Sequence, residues 1–73
     1  MNKLYGIVCR KFNIAINLLD EVGVDYQTVG YSKAVESHLT LNIKRRLEFP
    51  ILQYNDKFYV GINQIIKLTK SLK

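Results

Sequence analysis

Cys9 is the only cysteine in the chain, and it stands where the stretch opened by Lys3-Leu4-Tyr5 gives way to helical spacing from Arg10 onward. A thiol at a strand-to-helix turn lies at the positive end of the helix, which favours the thiolate, the attacking form in thiol–disulfide exchange. Arg10 and Lys11 follow directly and push the same way. Three residues on, where a dithiol redox site carries its second cysteine, stands Phe12. The chemistry open to this sequence is therefore that of one thiol passing through a mixed disulfide. The other reading of Cys9 is a small core-packing residue, and position alone leaves both open. Phe12 likewise has two readings: it fills the space of a second thiol, or it belongs to the core.

Other reactive groups are sparse. His38 is the only histidine and reads as a structural or surface residue. No His/Cys/Asp/Glu spacing resembles a metal-ligand set, so no metal is expected. Gly61, Ile62 and Asn63 open a last helix, whose free amides suit a carboxylate; a plain turn and cap is the alternative.

The elements that must position these residues follow from periodicity. Leu4 to Val8 reads as a strand. Phe12, Ala15, Leu18 or Leu19, and Val22 recur at helical spacing, with Asn13, Asn17 and Asp20 opposite, which predicts a helix from Arg10 to about Val22 that stops at Gly23. Val24 to Val29 alternates as a second strand. Strand, helix and strand in this span form a βαβ unit with parallel strands and a right-handed crossover. Ser32 caps a second helix carrying Val35, Leu39 and Ile43, with Lys44-Arg45-Arg46 expected at its end, where cations suit the dipole. Pro50 precedes Ile51, where a third strand begins. Asn55-Asp56 marks a hairpin into Phe58-Tyr59-Val60. Asn63 is the expected cap of a last helix with Ile62, Ile65, Ile66, Leu68 and Leu72 as its apolar set. The predicted class is α/β: a four-stranded mixed sheet with helices on both faces, in the order β1-α1-β2-α2-β3-β4-α3.

Size and composition fit one small domain over residues 1–73. At 48% hydrophobic and 23% charged, the chain has the makeup of a globular domain rather than a disordered one. A lone cysteine excludes a disulfide-stapled scaffold. No apolar run is long enough to span a bilayer, and no signal peptide is visible, so the expected setting is the cytoplasm. Eleven Lys/Arg against six Asp/Glu give a net charge of +5, which suits an acidic protein partner. The cations are dispersed except for Lys44-Arg45-Arg46 and the tail Lys67, Lys70 and Lys73, and they read as solvated faces rather than a phosphate track. Nucleic acid is not an expected partner.

Over nearly its whole length the chain resembles the glutaredoxins, the small glutathione-dependent branch of the thioredoxin-like fold. Tyr5 and Cys9 match the family's strand-to-helix active-site turn. Ala15, Leu18-Leu19 and Gly23-Val24-Asp25-Tyr26 resemble its "A…LL…GVxY" run. Phe49-Pro50 resembles the "VP" step whose proline is cis in the family. Asp56-Lys57-Phe58-Tyr59-Val60-Gly61 resembles the "dgkfiGG" hairpin. The chain departs from the pattern at Phe12, at Gly6-Ile7-Val8 in place of Lys-Pro-Gly, and at Val60-Gly61 in place of Gly-Gly. Its middle is also shorter than in typical members. This is the pattern of a compact, diverged, single-cysteine member, of the kind found in phages or as accessory proteins.

The resemblance implies a thiol–disulfide oxidoreductase in which Cys9 is catalytic and glutathione is the co-substrate, acting on glutathione or a glutathionylated protein. It implies a glutathione site drawn from Tyr5, Arg10, Phe12, Phe49, Pro50, Gly61, Ile62 and Asn63. In it the backbone of Phe49 pairs with the ligand, and the corner at Gly61 holds a carboxylate. One-thiol members that share an iron–sulfur cluster between two chains carry Cys-Gly-Phe-Ser, which Cys9-Arg10-Lys11-Phe12 does not match. The alternative function is a non-catalytic protein of this fold that binds a partner protein.

Overall fold

Two apolar clusters, one on each side of a single sheet, hold the chain together. The computed structural model describes residues 2–7, 9–44 and 46–72. Val8 at the end of the expected first strand, Arg45 in the basic run and Lys73 in the tail lie outside the described residues. The elements are β1 (Lys3–Gly6), α1 (Arg10–Glu21), β2 (Gln27–Gly30), α2 (Lys33–Asn42), β3 (Ile51–Tyr54), β4 (Lys57–Val60) and α3 (Ile62–Leu72). The sheet order is β2-β1-β3-β4, with β1 parallel to β2 and antiparallel to β3, and β3 antiparallel to β4. This is the predicted element order, and it is compatible with a thioredoxin-like fold.

Strand alternation distributes the core. Leu4 and Leu52 face α1 and α3, where they meet Phe12, Ala15, Leu19 and Ile65. Their neighbours Tyr5 and Ile51 face the other side and meet Leu39, Ile43 and Val60. A one-residue slip of β1 against β3 would turn both sets to the wrong layer, so the register Leu4↔Leu52 and Tyr5↔Ile51 is strongly specified.

Local chemistry explains the ends. The helix α1 closes as expected at Gly23 (φ 73°): the Gly23 N–H donates to the Asp20 carbonyl at 3.2 Å and the Val24 N–H to the Leu19 carbonyl at 3.1 Å. That pair of bonds is a Schellman motif. Ser32 caps α2 as expected, its Oγ accepting from the Val35 N–H at 3.2 Å. Asn55 (φ 49°) and Asp56 (φ 65°) both take the left-handed conformation, the signature of a type I′ hairpin turn.

Four expectations change. The first strand, expected from Leu4 to Val8, is Lys3–Gly6, and Ile7 lies outside it and is exposed. The second strand starts at Gln27, not Val24. Val24 is engaged in closing α1, and Asn2 ties down the approach, its Nδ2 donating to the Asp25 carbonyl and its own carbonyl accepting from the Gln27 N–H, both at 2.9 Å. Val24 and Tyr26 nevertheless pack against the α1 side of the core. Lys44 and Arg46, the described residues of the basic run, do not sit in the last turn of α2, which ends at Asn42. The chain leaves the helix at Ile43 in extended conformation (φ −113°, ψ 115°) so that Ile43 is buried, which carries Lys44 beyond the helix. Asn63 is not the cap of α3: it is an exposed residue within the first turn, and Gly61 precedes the helix, its carbonyl accepting from the Ile65 N–H at 3.4 Å. The side chain that secures this start is Gln64, whose Oε1 reaches back to accept from the Val60 N–H at 2.9 Å.

Candidate functional site

Cys9 occupies the N-cap position of α1, with extended backbone (φ −155°, ψ 179°) and its carbonyl accepting from the Asn13 N–H at 3.0 Å. Its side chain makes no capping bond; the thiol is free and exposed. Burial in the core, the competing reading of this residue, does not occur. No acid stands in the first turn of α1, where Arg10 and Lys11 are both exposed.

One helical turn on, Phe12 points the other way. It is 5% exposed and belongs to the core between the sheet and α1 and α3. Its ring lies directly over Gly6: a β-carbon on Gly6 would stand 2.9 Å from Phe12 Cδ1 and 3.5 Å from Pro50 Cα. Gly6 is glycine because ring and backbone meet there. Gly6→Ala is expected to cost about 1–3 kcal/mol by overpacking, since a buried ring must yield. The check is the midpoint of urea unfolding; an unchanged midpoint would mean that the ring shifts freely.

Pro50 is buried beside this contact, and the Phe49–Pro50 peptide is cis. The Pro50 carbonyl accepts from the Gly61 N–H at 3.0 Å, which ties the step before β3 to the start of α3. The first turn of α1, the Phe49–Pro50 step and the Gly61–Ile62–Asn63 corner therefore converge at one end of the sheet. Ile62 is half-buried against the α1 side of the core, while Asn63 is exposed. Phe49 is half-buried on the α2 side, and its ring meets the exposed ring of Tyr31 edge-on, with centroids 5.5 Å apart.

Tyr5 does not join this group. It is 3% exposed on the α2 face, and its hydroxyl donates to Gln53 Oε1 at 3.0 Å, toward the opposite end of the sheet. Burial pushes its phenol above the ordinary tyrosine range. The Tyr31 phenol is also pushed up, chiefly by donating a hydrogen bond to the Glu36 carboxylate.

Two residues at the convergence were not singled out from the sequence. One is Tyr31, whose ring packs edge-on against Phe49. The other is Glu48, whose carboxylate lies at the Gly61 corner: a β-carbon on Gly61 (φ 85°) would stand 3.1 Å from Glu48 Oε2. A glutamate two residues before a proline gives no local signal of this, because the contact depends on where α3 begins. Among the described residues, no group of three or more His, Cys, Asp and Glu could hold a metal ion, and no helix is long and apolar enough to cross a membrane. No protein-family model matches this chain, and no curated protein matches it.

Proposed function

We propose that this protein is a glutaredoxin-like thiol–disulfide oxidoreductase that works through Cys9 alone with glutathione. The observation that carries the reading is an accessible thiol at the N-cap of α1, at the end of the sheet where the Phe49–Pro50 step and the start of α3 meet. In the first step the Cys9 thiolate attacks the glutathione sulfur of a protein mixed disulfide. A Cys9–glutathione bond forms, the old disulfide breaks, and the protein thiolate leaves and takes up a proton. In the second step the thiolate of a second glutathione attacks the glutathione sulfur held on Cys9. Glutathione disulfide departs and Cys9 is restored, so the two electrons delivered to the substrate come from glutathione.

Within this reading, Phe49 offers backbone groups to the ligand, the Ile62 and Asn63 amides at the start of α3 hold a carboxylate, since the Gly61 N–H is taken by the Pro50 carbonyl, and Arg10 meets a second carboxylate. The second reading is a binding module of the same fold without catalysis. It is favoured by Glu48, whose carboxylate crowds the Gly61 corner and puts a negative charge beside the place the first reading gives to a ligand carboxylate.

Glutathione titrated into the labelled protein separates the two. The expected result is saturable movement of the Phe49, Gly61 and Ile62 amide signals. Signals that stay fixed there would remove the ligand site and leave the binding module.

A further inference from the structure

We propose that the outer edge of β4 and the groove beside it form a docking site for an extended acidic segment of a partner protein. This goes beyond the thiol chemistry and does not depend on it. The sheet order leaves β4 at an edge. The Gly61 N–H bonds the Pro50 carbonyl, and antiparallel pairs alternate between bonded and unbonded, so Tyr59 and Lys57 turn their backbone groups toward β3. Phe58 and Val60 therefore turn theirs outward. Gln64 already exploits one of these groups, the Val60 N–H, as an acceptor's partner. The Phe58 amide and carbonyl and the Val60 carbonyl are the groups that an added strand would pair with.

A groove of about 420 Å³ runs next to this edge, lined by Tyr59, Gln64, Lys67, Leu68 and Ser71. Tyr59 packs on the α1/α3 side of the sheet, so the groove lies on the face toward which every second side chain of an added strand would point. Its apolar lining comes from Tyr59 and Leu68, and its charge from Lys67. Lys57 on the strand and Lys70 on the helix are exposed nearby in the chain. A short edge bearing a lysine also resists pairing with neutral strands and with a second, equally basic copy of this chain. The same lysines select an acidic strand, and charge complementarity is what names the occupant.

The test uses the full ¹⁵N-labelled chain and a blocked peptide of alternating glutamate and valine. The expected result is saturable shifts of Phe58, Val60, Gln64 and Leu68. Neither the lysine–valine counterpart nor a glutamate–valine peptide interrupted by proline should reproduce them. Lys67→Glu should weaken binding about tenfold, with Lys67→Gln intermediate, and Cys9→Ser should leave it unchanged. The dispersion of each variant's spectrum reports that it is folded. The proposal is overturned by shifts centred elsewhere, by an equal response to the proline-interrupted peptide, by no response at millimolar peptide, or by a Lys67→Glu variant that binds as well as the parent.

Discussion

Cys9→Ser is expected to bring turnover of a glutathione mixed disulfide down to background, a loss of at least about a hundredfold, because no second nucleophilic sulfur exists in the chain to take over. The same substitution should not harm the fold. The Cys9 side chain is exposed and makes no cap bond, so nothing in the core depends on it. Serine at an N-cap accepts from the first free amides of the helix, and the variant should gain up to about 1 kcal/mol. An enzyme assay and a thermal melt on one preparation therefore move in opposite directions. Turnover that survives in the serine variant would end the reading of Cys9 as nucleophile. A melt that falls sharply would show a structural role for the thiol.

Phe12→Ala should have the largest effect on stability. Truncating a buried phenylalanine costs about 3–5 kcal/mol from lost transfer energy and the cavity left behind. A domain of this size has roughly 4–11 kcal/mol in total, so the variant sits near the threshold of folding. Each kcal/mol lowers the melting temperature by about 4–8 °C. Phe12→Leu keeps most of the volume and should recover most of the loss. Urea unfolding measures both. A loss below about 1 kcal/mol in Phe12→Ala would mean that the ring contributes little to the core, against its burial and its contact with Gly6. The pair also bears on redox chemistry: a cysteine at position 12 would restore the dithiol spacing only by removing a core ring, so stability and a second thiol compete for one position.

Much of the fold was legible because its signals are local. The spacing of Phe12, Ala15 and Leu19 fixes the buried face of α1, Gly23 its end, Ser32 the start of α2, Pro50 the start of β3, and Asn55-Asp56 the hairpin. In each case the deciding interaction lies within a few residues of the signal, through a helical period, a backbone conformation or a side chain bonding its own turn. Gly6 carried a weaker signal, a glycine inside a strand, whose meaning becomes plain only when the Phe12 ring is seen against it.

The misplaced boundaries share a cause. Val24 to Tyr26 have strand-like alternation, but the exit of α1 and Asn2 claim that backbone before the ladder begins. Asn63 is a good cap by type, yet the tie between Gly61 and Pro50 sets where α3 starts and leaves Asn63 two residues past the cap position, inside the first turn. Thr69 was missed as a core position because threonine is polar by type; it is 1% exposed, its hydroxyl satisfied by the Ile66 carbonyl at 2.9 Å.

By itself the sequence determined which segments are helix or strand, their order, and that one thiol stands at a helix start. Tertiary structure alone decided that this thiol faces solvent, that the Phe12 ring meets Gly6, that Tyr5 lies on the far face of the sheet, and that Glu48 meets Gly61. Those outcomes depend on residues brought together from distant parts of the chain. Which face a side chain takes, and what it meets there, follows from the register of neighbouring strands and the packing of helices over them, and no short stretch of sequence encodes that by itself.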